Sequence, residues 1–215
     1  MSLVSFYKMD WNSNDAVGTN NGTDTAITYW VSNWKKNQWA LFVRASASKI
    51  NLPSFNLNTA SNPWSAQAWI KTTSASSWTD QYSIISRRTG TNTFALAIFW
   101  PSNFWVTNKV QLSDWGVTNT RINTEIINDW KWHYIVVTSS NNTSAKIYTN
   151  GILTNSSTAF SFVTQTVTNW NNIGNFDTWW RCRDWSIDEV WYYSVELNSS
   201  QIKNNYAFHQ WFYSS

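Results

Sequence analysis

Asp129-Trp130-Lys131-Trp132-His133-Tyr134-Ile135-Val136-Val137-Thr138, followed by Ala145-Lys146-Ile147-Tyr148-Thr149-Asn150-Gly151-Ile152-Leu153, is the stretch that decides the fold. Side-chain character alternates in His133–Val137 and in Lys146–Thr149, the period of a strand with two different faces. Asn150-Gly151 then closes a run of β-formers. That pair is a strong hairpin signal, because a type I′ turn needs φ > 0 at both central residues. Ile152-Leu153 starts the return strand. Similar runs are read at Leu3–Lys8, Trp39–Val43, Ser48–Leu52, Ser65–Thr72, Tyr82–Arg87, Thr93–Phe99, Lys109–Ser113 and Ser186–Tyr193. A helix is expected near the C-terminus, where Asn198-Ser199-Ser200-Gln201 offers capping residues and Ile202, Tyr206 and Phe208 supply an apolar face.

Many short strands with turn signals between them predict an all-β, antiparallel β-sandwich of jelly-roll type with one short C-terminal helix, as a single domain over residues 1–215. Charged residues make up 13% of the chain, so Asn, Thr and Ser must supply much of the polar surface. The net charge of +3 is not gathered into a basic face, which argues against nucleic acid as a partner. The single Cys182 cannot form an intramolecular disulfide, and no Cys/His spacing points to zinc. No apolar run is long enough to enter a membrane, and the first ten residues do not read as a signal peptide.

Glycine is scarce and tryptophan abundant, 6 against 18, where ordinary usage gives about 15 Gly. Trp follows Asp or Asn at Asp10-Trp11, Asn33-Trp34, Asp114-Trp115, Asp129-Trp130, Asn169-Trp170 and Asp184-Trp185. Asp-Gly and Asn-Gly make tight turns because Gly tolerates φ > 0; turn chemistry does not ask for Asp-Trp. A UGA codon, which some genetic codes read as Trp and others as Gly, accounts for such a set. A Trp-rich surface is the alternative.

The order of motifs resembles laminin-G-like, concanavalin A-like lectin/glucanase domains. The opening Leu3–Thr23, with Asp10-Trp11-Asn12, Asp15, Gly18 and Asn21-Gly22-Thr23, resembles their first strand and loop. Ser65-Ala66-Gln67-Ala68-Trp69-Ile70 resembles their Trp-bearing core strand. Asp129–Thr138 and Ala145–Leu153 resemble the following strand and hairpin, and Ile173-Gly174-Asn175, Asp184–Val190 and Leu197–Ile202 the closing elements. Trp69 and Trp132 fall where that family has Trp, so both are expected in the core. Trp11, Trp39, Trp130 and Trp185 fall where it has Gly. Trp34 joins them on the turn argument, and Trp78, Trp170, Trp179, Trp180 and Trp191 are further candidates.

The resemblance implies a non-catalytic carbohydrate-binding module of a larger extracellular or cell-surface protein, with a glycan or a surface protein as partner. A structural or adhesive module without sugar specificity is the alternative. Glycoside hydrolysis needs two placed carboxyl groups. Only Glu125, Glu189 and Glu196 are present, and strand alternation puts Asp188 and Glu189 on opposite faces, so no catalytic residue is assigned. Arg87, Asp114, Trp115 and Asn119 are the candidate sugar contacts, an aromatic platform beside polar groups. Asp15, Asn20 and Asp188 are the candidate oxygen ligands for a Ca2+ ion.

Overall fold

A computed structural model describes residues 3–31, 38–54, 63–72, 81–89, 92–99, 109–115, 121–127, 129–141, 143–159, 170–175 and 184–213. Asn119, Cys182, Trp34, Trp78, Trp179 and Trp180 lie outside them. Among the described residues the strands are β1 (Leu3–Tyr7), β2 (Thr23–Thr25), β3 (Thr28–Val31), β4 (Gln38–Phe42), β5 (Lys49–Asn51), β6 (Trp64–Lys71), β7 (Gln81–Thr89), β8 (Asn92–Phe99), β9 (Lys109–Trp115), β10 (Arg121–Ile126), β11 (His133–Ser139), β12 (Ala145–Thr149), β13 (Ile152–Ser157), β14 (Trp170–Ile173) and β15 (Trp185–Tyr193). One 15-residue helix follows, α1 (Ser199–Tyr213).

The strands form two antiparallel sheets. The first runs β13-β12-β11-β6-β15-β4-β3, with β1 also paired to β15; the second runs β10-β9-β8-β7-β14-β5-β2. Ile50, Ile173, Ile85, Leu96, Leu112 and Ile122 stand opposite one another along one cross-strand row of the second sheet. Those whose side chains are described as core, Ile50, Ile85, Leu112 and Ile173, pack with Ala40, Ile70, Ile135, Val137 and Ile187 of the first sheet. This shared interior is the sandwich that the strand pattern predicts.

β6 and β11 break the simple in/out alternation, for nearly every residue of both is buried. Their other face, with Trp69, Tyr134 and Val136, lies in a second cluster that includes Ile202 and Tyr213 of α1. The helix starts with a reciprocal cap: the Gln201 N–H donates to Asn198 Oδ1 and the Asn198 N–H to Gln201 Oε1, both at 2.9 Å. Its buried positions are Ile202, His209 and Tyr213. Phe208, expected in the core, is exposed instead, because the 3.6-residue period that seats Ile202 and His209 turns it outward.

Asn150 and Gly151 have φ of 53° and 80°, the two positive values that the hairpin reading requires. Gly174 has φ +89°, and a Cβ there would come within 2.0 Å of the Phe42 ring. The Asp-Trp and Asn-Trp argument separates into cases. Trp130 does occupy a left-handed position, φ +62°, and is 61% exposed. Trp11 is exposed but has no positive φ. Trp115 and Trp170 end or begin strands, and Trp39 pairs with Trp30 inside one. Trp185 is 2% exposed in the sandwich core and begins β15, so the Asp184-Trp185 pair enters a strand instead of making a turn. Trp69 and Trp132 behave as expected for Trp69, fully buried, and in part for Trp132, which is half-buried.

β15 carries one irregularity with consequences. Its register against β6 shifts between Asp188 and Trp191, and Glu189 has φ +47°. A bulge of this kind inserts an extra residue and re-aims side chains. The alternation that assigns Asp188 and Glu189 to opposite faces therefore does not hold here.

Left-handed backbone at a bulky residue costs on the order of 1–2 kcal/mol. Trp130→Gly is accordingly expected to raise stability by about 1 kcal/mol. Trp185→Gly is expected to lower it by about 3 kcal/mol or more, as core Trp truncations do. Thermal unfolding of the two variants followed by circular dichroism checks both signs.

Candidate functional site

Trp69 and Tyr134 sit opposite each other on β6 and β11, with ring centroids 5.2 Å apart. α1 covers them. Tyr213 stacks on Trp69 at 4.0 Å and 18°, and Tyr206 lies parallel to Trp69 at 5.8 Å. Trp132 leans on Tyr213 at 5.1 Å. Helix and sheet do not close completely at this end. They leave an open cavity of about 380 Å³ lined by Trp69, Trp132, Tyr206 and Tyr213 together with Lys131, His133, Asn150 and Gln210. The Trp69 indole N–H is buried and has no acceptor.

The polar wall is held by a chain of hydrogen bonds. The Tyr134 N–H donates to Asn150 Oδ1 at 2.9 Å, which turns the Asn150 amide nitrogen toward His133 Nδ1 at 3.3 Å. That contact makes Nδ1 the acceptor and leaves the ring proton on Nε2, which faces Asp129 Oδ1 at 2.8 Å. Burial pushes the Asp129 carboxyl up, but the His133 hydrogen bond and the Lys131 N–H outweigh it and hold the group below its ordinary range. The tight Asp129-Trp130 turn thus does two jobs, reversing the chain and orienting His133. Lys71 Nζ lies 4.8 Å above the Trp130 ring and 6.0 Å from that of Trp132, and burial lowers its pKa.

The expected sugar contacts lie elsewhere, on the second sheet. Register places Arg87 opposite Phe94 and Phe94 opposite Asp114, with Asn171 on the far side of Arg87, in one cross-strand row. Trp115 belongs to the neighbouring row, with Thr93 and Arg88. By backbone register, Arg87 and Asp114 share one row and Trp115 stands in the next. Asn119 lies outside the described residues.

The expected calcium ligands fall into two hydrogen-bond networks. Asp15 and Asn20 come together. Asp15 Oδ1 accepts the Phe6 and Val17 N–H groups, and Oδ2 accepts that of Asn20. Burial raises the Asp15 carboxyl, but these donors prevail and lower it. The Asn20 side chain donates to Ser5 and its carbonyl accepts from Tyr7. Asp188 belongs to the second network. Its Oδ2 accepts the Tyr213 hydroxyl at 2.6 Å and its Oδ1 the Glu189 N–H at 2.9 Å. A carboxylate saturated by backbone donors ties its loop without a cation, and the donor set at Asp15 fits Ca2+ poorly. Among the described residues no three His, Cys, Asp or Glu side chains gather to hold a metal.

The cavity beside α1 was not anticipated. Trp132, His133 and Asn150 are conspicuous in the sequence, but their partners Tyr206, Gln210 and Tyr213 are about 60 to 80 residues away, and only the packing of α1 brings them together.

Two outcomes follow. Burial, reinforced by Glu189, holds the Asp188 carboxyl well above its ordinary range. The folded state thus keeps a proton that the unfolded chain loses near pH 4. Stability from this group is full below that pH and declines as pH rises toward the folded value. Asp188→Asn, which cannot ionise, is expected to flatten this slope and raise the Tm at pH 7, read from thermal melts between pH 4 and 8. Added CaCl2 or EDTA is expected to leave the Tm unchanged; a calcium-dependent rise of several degrees would place a cation at Asp15 and Asn20.

The family comparisons agree with this architecture. No curated protein matches the sequence. Domain 4 of AbnA, a GH43 extracellular arabinanase from Geobacillus stearothermophilus solved in complex with arabinotriose, is 20% identical; the alignment covers 94% of this chain and 97% of that one at TM-score 0.74. Botulinum neurotoxin type C, in a structure describing cell entry through two ganglioside molecules, is 14% identical over 96% of this chain at TM-score 0.73. The binding domain of Paraclostridial Mosquitocidal Protein 1 is 12% identical over 97% of this chain at TM-score 0.69. This chain spans about half of each toxin structure, 51% and 52%. A family model described as the concanavalin A-like lectin/glucanases superfamily matches residues 44–203. With two stacked sheets, a capped closing helix and that match over most of its length, the chain belongs to the concanavalin A-like lectin/glucanase superfamily.

Proposed function

We propose that the chain is a non-catalytic carbohydrate-binding module of an extracellular or cell-surface protein, and that sugar sits in the cavity between the Asp129–His133 turn and α1. The observation that carries this reading is the makeup of the cavity wall. Half-buried Trp132 and Tyr206 offer apolar ring faces, and Asn150, Gln210, Lys131 and His133 offer polar groups around them. A pyranose has the same division, with C–H groups on its faces and hydroxyls at its rim. Pockets that bind small molecules are commonly apolar with a few placed polar groups, and about 380 Å³ is within their usual size. The unpartnered Trp69 N–H adds a buried donor.

Two structural neighbours support the reading, one solved with arabinotriose and one described through gangliosides. The Arg87–Asp114 row on the second sheet remains a separate candidate for sugar contact. The partner is a glycan, and a surface protein is the alternative.

A glycan array followed by titration of the best ligand tests this. Saturable binding is expected. Trp132→Ala is expected to weaken it at least tenfold, about 1.4 kcal/mol, with the fold retained by circular dichroism. Asp114→Ala is expected to leave it unchanged, and no reducing sugar is expected to be released from bound polysaccharide. If Asp114→Ala abolishes binding and Trp132→Ala does not, the second sheet holds the site. An array without binding points to protein contact instead.

A further inference from the structure

α1 has a second cavity on its other flank, and Tyr213 is a wall of both. This one measures about 350 Å³ and is lined by the carboxyl groups of Asp10, Asp188 and Glu189. The bulge in β15 makes that possible. In a regular strand adjacent residues diverge, but the register shift and the φ of +47° at Glu189 bring both acids to one cavity. Left-handed backbone at a Glu is strained and tends to persist where a site uses it.

Asp188 is engaged by the Tyr213 hydroxyl, which leaves Asp10 and Glu189 beside two basic side chains, Lys8 and His209, with His209 Nδ1 2.7 Å from Glu189 Oε2. Burial raises the Asp10 carboxyl, with Lys8 opposing and Glu189 adding to the rise. The remaining walls are aromatic: Phe6 and Trp191 lie 4.5 Å apart, and Phe208 forms the exposed rim. The Trp191 indole N–H is buried without an acceptor. The cavity therefore offers the Asp10 and Glu189 carboxyl groups, flat apolar walls and one unused donor.

We propose that this cavity binds an amino sugar, a glycan unit bearing a free ammonium group. The ammonium meets Asp10 and Glu189, the C–H face lies along Phe6 and Trp191, and a hydroxyl oxygen accepts the Trp191 N–H. The inference rests on the carbohydrate-binding reading but assigns a different cavity and a charge requirement. A neutral or N-acetylated sugar brings no charge to offset the desolvation of the carboxylates. The free amine brings it.

The test is calorimetric titration at pH 6 with a β-1,4 glucosamine trisaccharide and its tri-N-acetyl counterpart. The free-amine sugar is expected to bind at least tenfold more tightly. Glu189→Gln and Asp10→Asn are each expected to weaken it at least fivefold, and Trp191→Phe, which keeps a ring but removes the N–H, by a smaller factor. Trp132→Ala on the other flank is expected to leave it unchanged. Asp10 lies outside the strands, so Asp10→Asn keeps the test open if Glu189→Gln disturbs the bulge. Equal affinity for the two trisaccharides, no heat from the free amine, or loss through Trp132→Ala alone overturns the inference. Neutral sugars binding on the array while the free amine gives no heat overturns this inference and leaves the glycan-binding reading intact. A blank array with no heat overturns both.

Discussion

The outer face of β6 and β11 sets the terms for the rest of the molecule. Both strands are buried on two sides, and the second sheet covers only one; the other carries Trp69, Tyr134 and Val136 beside the buried polar Ser65 and Gln67. Trp69 and Tyr134 would present large rings to water if nothing lay over them, and α1 is the cover. Its contact is aromatic: Tyr213 stacks on Trp69 at 4.0 Å, and Tyr206 runs parallel to both Trp69 and Tyr134. Stacked pairs of this kind contribute roughly 0.5–1.5 kcal/mol beyond the area they bury. A straight helix on a twisted sheet cannot fill every gap, and the two cavities flank it.

β15 links the sheet to that helix. One of its edges pairs with β4 through Trp185, Ser186 and Ile187 and then with β1 through Val190 to Tyr193. The bulge falls where the partner changes. An uninterrupted strand could not satisfy both neighbours and still send Asp188 to the Tyr213 hydroxyl and Glu189 to His209. A buried carboxyl and a strained residue are local losses, offset by the packing of α1 around them. Such exceptions to local rules tend to mark functional surfaces.

The Trp residues show how far local sequence chemistry reaches. At Trp130 the turn argument was sound, since an Asp side chain, a reversal and φ +62° coincide there. At Trp185 the same dipeptide reading failed, because the residue enters β15 and is buried between the sheets. Asp-Trp describes a turn only where the chain reverses, and a dipeptide does not say whether it does.

Alternation, turn residues and the cap at Asn198 were enough to determine an antiparallel sandwich and its helix, because each is a rule about neighbours in the chain. The Asn150-Gly151 hairpin and the Asp15 loop were legible for the same reason: their hydrogen bonds close within a few residues or one strand's length. The calcium expectation joined Asp188 to Asp15 across the fold, and the hydrogen bonds of Asp188 run to Tyr213 and Glu189 instead, a partnership that no rule about chain neighbours foresees. The cavities belong to tertiary structure alone. Trp132 meets Tyr213 because a helix that begins about fifty residues after the Asn150-Gly151 turn docks over Trp69 and Tyr134, and Asp10 comes to the cavity of Glu189 because β1 pairs with β15. Sequence specifies which surfaces must be buried; which side chains then meet is decided by how the covering element fits.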